Sequence, residues 1–232
     1  MRRSLLLIAL ISFAASADVP GEGPGMKLYL TSAGIHVLDE LVPLLPFQPS
    51  GHTVCYITTA GNLEGNPPWM DEEIEAIEKT GLDVRRIDLA RLSASTIADK
   101  FQGCDVIWVG GGNTYYLLQE VRRSGFDDFV VEKITDGVPY VGTSAGSLIL
   151  APNIECIKYA EEHPDLTLSL ESYNGLNVFP LVTFVHFDNP DFRDVYRKIL
   201  MDALENDVPF VTLRDNQFIF VDGETWKVID SN

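Results

Sequence analysis

The sequence predicts one α/β domain built on a mainly parallel sheet with helices on both faces. Two observations carry this. From residue 26 onward, short apolar runs alternate with amphipathic stretches of helical period. Several of the apolar runs are nearly unbroken, which is the pattern of strands covered on both sides. Strand–helix alternation of this kind implies right-handed crossovers and parallel pairing. A chain of 232 residues is long enough to bury a sizeable core in a single domain, and no repeat, low-complexity tract or internal linker divides it.

The elements follow in order. "KLYLT" (27–31), "HTVCYITTA" (52–60), "LDVRRIDL" (82–89), "CDVIWVGGG" (104–112) and "VPYVG" (138–142) are the expected strands. Between them lie expected helices at "GIHVLDELVPLL" (34–45), "PPWMDEEIEAIEKTG" (67–81), "SASTIADKF" (93–101) and one long segment, 113–137. Pro68 and Asp71 mark the start of the second helix and Gly81 its stop. The last part differs. "NVFPLVTFVHF" reads as a strand and is followed by a helix at about 190–206. "PFVTLRD", "QFIFVDG" and "WKVID" then read as an antiparallel finish, with Asp222-Gly223 as a turn.

Composition excludes some functions. A net charge of −17 argues against nucleic acid or an anionic membrane surface as a partner. Cys55, Cys104 and Cys156 are far apart, without metal-ligand spacing or a disulfide framework, so they read as buried thiols. "MRRSLLLIALISFAASA" combines a basic start, an apolar stretch and an Ala15-Ser16-Ala17 cleavage site, as in a signal peptide over residues 1–17. It is too short for a membrane span, so no membrane attachment is expected once it is removed. Residues 18–25 then form a linker and 26–232 the folded domain. The rival expectation is translation from Met26 and a cytoplasmic protein, since Gly21-Glu22-Gly23 would be encoded by a purine-rich stretch resembling a ribosome-binding site.

Two expected strand ends carry unusual chemistry, and in open α/β sheets ligands gather at such ends. Gly110-Gly111-Gly112 precedes Asn113-Thr114 and a helix. Glycines there let backbone N–H groups approach a ligand, although the loop lacks the lysine of a phosphate loop and could be a plain tight turn. Gly142-Thr143-Ser144-Ala145-Gly146 fits G-x-S-x-G in the strand-to-helix setting of a nucleophile elbow. The following helix would add N–H groups and a positive dipole end near the serine. The competing reading is that Ser144 or Thr143 caps that helix. A nucleophilic serine needs a base. Of His36, His52, His163 and His186, only His186 closes an apolar strand after Ser144. Asp215 and Asp188 are the nearby candidates to orient it. The order serine, histidine, aspartate disfavours the α/β-hydrolase fold, whose acid precedes its histidine.

Taken together, "MKLYLTSAG", "GGGNTYYLL", "VPYVGTSAGSLILAP", "GLNVFPLVTFVHF" and "VPFVTLRDNQ" resemble peptidase E, the aspartyl dipeptidase family of serine peptidases that also includes cyanophycinase. The resemblance covers most of residues 26–221. It implies a three-layer α/β fold like that of class I glutamine amidotransferases, which carry cysteine at the elbow where this chain has Ser144. It implies Ser144 as nucleophile, His186 as general base, and Asp215 at the position of an acid that is usually glutamate. Gly111 or Gly112 and Ala145 would form the oxyanion hole. Asn113, Thr114 and Arg193 are the substrate-contact candidates. The family's P-H-F is here "VHF", and its G-E-T-R-E-x-R-I segment is shortened to "DNPDFRDVYR". Arg193 and Arg197 keep the arginine spacing, so Arg193 could meet a substrate carboxylate, or could be a solvated helix-face residue beside Asp194. The shorter acid at 215 leaves Asp188, or an acid in 155–172, as an alternative orienter.

The expected activity is therefore hydrolysis of short peptides through an acyl-enzyme, with Asp-Xaa dipeptides one possible class. A cyanophycinase-like hydrolase and a catalytically silent module binding a small anionic ligand are the alternatives. There is no H-E-x-x-H and the histidines are scattered, so no metal or cofactor is expected. A monomer or homodimer is the expected state.

Overall fold

The computed structural model describes residues 25–65, 67–160 and 170–231. The expected signal peptide, most of the linker and His163 lie outside the described residues.

A seven-stranded sheet runs through the domain in the order β3-β2-β4-β5-β1-β8-β9. The parallel part comprises β1 (Lys27–Thr31), β2 (Thr53–Ile57), β3 (Asp83–Ile87), β4 (Val106–Val109) and β5 (Tyr140–Thr143). Two antiparallel strands, β8 (Gln217–Asp222) and β9 (Thr225–Asp230), extend it beyond β1. Alternate side chains of one strand point to opposite faces, and both faces are packed. Leu28, Leu30, Cys55, Ile57, Ile107 and Val109 join one core. Tyr29, Val54, Tyr56, Val106 and Trp108 join the other. This two-sided burial is why the strands read as continuous apolar runs.

Helices cover both faces: α1 (Leu38–Leu41), α2 (Pro68–Lys79), α3 (Ile97–Lys100), α4 (Thr114–Ser124), α5 (Phe126–Thr135), α6 (Ala145–Leu148) and α7 (Arg193–Glu205). The architecture is the expected three-layer α/β fold of the class I glutamine amidotransferase type.

Four expectations need correction. The helix expected over 34–45 is a single turn, α1, between two 3-10 turns, because Pro43 cannot donate within a helix and stops it from propagating. The segment 113–137 splits into α4 and α5 at Gly125, which adopts φ 75°, a conformation that costs glycine little. "PFVTLRD" is not part of the antiparallel finish. Its strand β7 (Phe210–Thr212) pairs in parallel with β6 (Val182–Phe184) in a separate two-stranded sheet. Finally, Cys55 and Cys104 are not free thiols but a disulfide, with Cα atoms 5.6 Å apart. Neighbouring strands β2 and β4 bring together residues 49 positions apart in sequence. Cys156 is a buried thiol, its pKa pushed up to about 11, chiefly by burial.

Candidate active site

The turn after β5 decides between the nucleophile-elbow and helix-cap readings of Ser144. Ser144 adopts φ 50° and ψ −106°, outside the regions a residue with a side chain ordinarily occupies. The glycines make the turn sterically feasible. A Cβ on Gly142 would stand 2.6 Å from the backbone of Gly146, and one on Gly146 would stand 2.1 Å from the Val109 carbonyl oxygen. Ser147 locks the bend from below, its hydroxyl donating to the Thr31 and Gly142 carbonyls at 2.8 and 2.7 Å. Ser144 makes no capping bond with its side chain, and Thr143 donates instead to Glu73 at 2.8 Å. The helix-cap reading therefore fails for both residues. The helix itself, α6, is one turn long, so what reaches the serine is local N–H groups rather than a macrodipole.

Ser144 Oγ lies 3.1 Å from His186 Nε2, and His186 Nδ1 lies 2.5 Å from Asp215 Oδ1. The small parallel sheet creates this pairing. Because β6 and β7 run in the same direction, their carboxyl ends meet, and the chain carries on from each into His186 and Asp215. Two backbone bonds continue the register past the strands, Leu213 N–H to the Phe184 carbonyl and Phe187 N–H to the Leu213 carbonyl. His186 turns out of line at φ 55°, and the ring of Phe192 stacks on its imidazole at 5.4 Å between centroids. The imidazole nitrogens face Ser144 and Asp215, whereas the Asp188 carboxylate accepts the Asp215 N–H at 3.3 Å. Glu155, another alternative acid, faces Lys158. Asp215→Asn is therefore expected to lower kcat strongly, by up to ~10⁴-fold by analogy with the serine-protease case. Asp188→Asn should have a small effect, and steady-state kinetics on the two variants side by side will check the ranking.

Ser32, at the end of β1, is a site residue that sequence reading missed. Its hydroxyl donates to Asp215 Oδ1 at 2.7 Å and accepts the backbone N–H of His186 at 2.7 Å. One buried side chain thus fixes both the carboxylate and the histidine backbone. Burial works to raise the Asp215 pKa, but hydrogen bonds from His186 and Ser32, helped by the charges of His186 and His36, outweigh it and hold the carboxyl below its usual value. A depressed carboxyl pKa means folding stability that is present above the unfolded value and is lost as pH falls through the folded one. Ser32→Ala removes one bond to the anion and makes the carboxylate more basic. The Asp215 carboxylate should then take up its proton at higher pH, moving the acid limb of kcat/KM upward, while Ser32→Thr keeps it in place. A fall in rate with an unmoved limb would reduce Ser32 to a packing role.

A cavity of about 600 Å³ opens above these groups, lined among others by Gly111, Gly112, Asn113, Thr114, Ser144 and His186. Gly111 lies against Ser144, since a Cβ there would be 3.3 Å from Ser144 Cβ. Gly112 has φ 126°, and a Cβ would come 2.3 Å from the Ala60 carbonyl oxygen, so this position tolerates only glycine. Among the described residues the Gly111 and Gly112 N–H groups have no backbone acceptor. Ala145 N–H, in the first turn of α6, has no intrahelical one. Asn113 Oδ1 caps α4 by accepting the Tyr116 N–H at 2.8 Å, and Thr114 is the first residue of that helix. Arg193 is exposed and does not line the cavity. Phe192, Tyr196 and Ile199 form the stripe of the 190–205 segment that does, and a residue one position after Phe192 is turned about 100° away from it.

Glu73 is the second group that sequence reading passed over, because it sits in an ordinary acidic helix, "MDEEIEAIEK". It is buried beneath the elbow, receives hydrogen bonds from Tyr56 and Thr143, and lines the cavity. Burial pushes its pKa up, while the bonds from Tyr56, Thr143 and the Gly34 backbone oppose the shift. Trp108 Nε1 also donates to Thr143, at 3.0 Å, so the residue next to Ser144 is held from two sides.

A three-layer α/β domain with a serine on a strained strand-to-helix elbow, hydrogen-bonded to a histidine, defines the class as a serine hydrolase. Comparison with known proteins narrows it. The profile of peptidase family S51 matches residues 29–229. An uncharacterised peptidase of Listeria innocua is 36% identical over 179 residues, covering 76% of this chain and 83% of its own. A Streptomyces coelicolor peptidase E is 28% identical over 200 residues, covering 82% and 74%. The crystal structure of a candidate peptidase E from Listeria monocytogenes EGD-e superposes with a TM-score of 0.81 at 30% identity, over 90% of this chain and all of that one. The chain belongs to peptidase family S51, the family of peptidase E, and is a serine peptidase.

Proposed function

We propose that the protein hydrolyses short peptides through an acyl-enzyme on Ser144. The observation that carries this is the continuous line of hydrogen bonds from Ser144 Oγ through His186 to Asp215. Ser144 Oγ attacks the scissile carbonyl carbon as its proton passes to His186 Nε2. Asp215 and Ser32 hold the imidazole in the tautomer that accepts there. The N–H groups of Gly111 or Gly112 and of Ala145 receive the oxyanion. Collapse breaks the C–N bond, and His186 returns the proton to the leaving amine. Water then attacks the ester, giving a proton to His186, which hands it back to Ser144 as the acid leaves. The cavity volume suits a few residues rather than a long chain.

The test is incubation of the full chain with a library of dipeptides and tripeptides, with products read by mass spectrometry. Cleavage that disappears in Ser144→Ala supports the reading. Cleavage of a branched aspartate polymer but of no short peptide would overturn it in favour of the cyanophycinase-like alternative. We also propose that the protein is exported. The Cys55–Cys104 bridge supports this, because such bridges persist mainly in oxidising compartments, as does the signal-like start of the sequence.

A further inference from the structure

Resting on the serine-peptidase reading, we propose that the substrate is a short peptide with a large apolar side chain next to the scissile bond, and not an aspartyl peptide. The cavity that holds Ser144 has an apolar wall that includes Tyr115, Leu148, Ile157, Phe184, Tyr196 and Ile199. These come from α4, α6, the 155–160 turn, β6 and α7, and none carries a charge. An apolar side chain buried against such a wall sheds its hydration water to bulk solvent, whereas a carboxylate finds no partner among these six side chains.

The rest of the lining points the same way. Among the described residues it holds three carboxyl groups, Glu64, Glu72 and Glu73, and neither lysine nor arginine. His36 and His186 are its titratable nitrogens, and His186 is engaged by Ser144 and Asp215. Residues 161–169 contain no lysine or arginine in the sequence, and Arg193, the residue that could have met an aspartate side chain, lies outside the lining. An aspartate side chain placed here would be desolvated without a permanent cation and would face like charges, which is strongly unfavourable.

The experiment compares kcat/KM for dipeptides carrying Leu or Phe at either position with those carrying Asp or Ala, using the full chain and Ile157→Ala. Ile157 sits in the short 155–160 turn, in the apolar part of the lining, and is none of Ser144, His186 and Asp215. We expect the Leu and Phe peptides to be favoured over Asp-Xaa by at least about tenfold. In Ile157→Ala their kcat/KM should fall on the order of tenfold, with the Ala peptides nearly unchanged, the scale expected for lost apolar contact in a pocket. Labelling of Ser144 by a serine-directed phosphonate in both proteins confirms that each site is assembled. With labelling intact, a preference for Asp-Xaa, or an equal fall for all peptides in Ile157→Ala, overturns the specificity alone. Absence of labelling in the unaltered chain overturns the peptidase reading beneath it.

Discussion

Ser144→Ala is expected to lower kcat by ~10⁴-fold or more, the scale seen when a serine nucleophile is removed from a preassembled site, with the melting temperature nearly unchanged. The hydroxyl makes its one side-chain hydrogen bond among the described residues to His186 Nε2. The turn is held by other groups: Ser147, the glycine contacts and the Ser144 N–H, which donates to the Thr31 carbonyl at 3.1 Å. Removing one oxygen therefore removes the proposed acyl carrier and little else. Residual activity over background would come from the Gly111, Gly112 and Ala145 N–H groups and from substrate binding. Kinetics and a thermal melt on the same sample check both halves. A near-normal rate would leave Ser144 as a strained turn residue without a chemical role.

His186→Ala should cost about as much as the serine change, and the double variant should be little worse than either, because members of a triad act as a unit. The structure gives this a geometric basis. His186 is the link between Ser144 and Asp215, and without it the serine has no acceptor for its proton. Imidazole removal also leaves the Ser32–Asp215 bond in place, so the loss is expected in kcat rather than in folding. Multiplicative losses in the double variant would mean that His186 serves the fold and that another base takes the proton.

The sequence made the parallel sheet legible because both of its faces are buried, which turns β1, β2 and β4 into unbroken apolar runs. The elbow was legible because Gly142 and Gly146 are required by backbone contacts at fixed offsets from Ser144. His186 could be singled out as a histidine at a strand end. Asp215 could not be preferred over Asp188 by spacing, and only the family resemblance pointed to it. What decides between them is the parallel pairing of β6 with β7, and pairing between short strands leaves no periodic trace along the chain. The same holds for Cys55 and Cys104, which become neighbours only once β2 lies beside β4. Ser32 was hidden for a different reason. A serine in "LTSAG" after a strand has the composition of any turn, and its two hydrogen bonds run to residues more than 150 positions away. Arg193 shows the converse limit: its spacing to Arg197 matched the family, but the helix phase turned it out of the cavity.

The most direct test of the Ser144–His186–Asp215 assembly is reaction of the full chain with a serine-directed phosphonate, followed by intact mass and peptide mapping. The assembly predicts one adduct per chain, located on Ser144, forming rapidly in the unaltered protein, very slowly in His186→Ala and Asp215→Asn, and not at all on Ser144→Ala. Peptide hydrolysis by a chain that takes no adduct, or an adduct mapped to another serine, would contradict it.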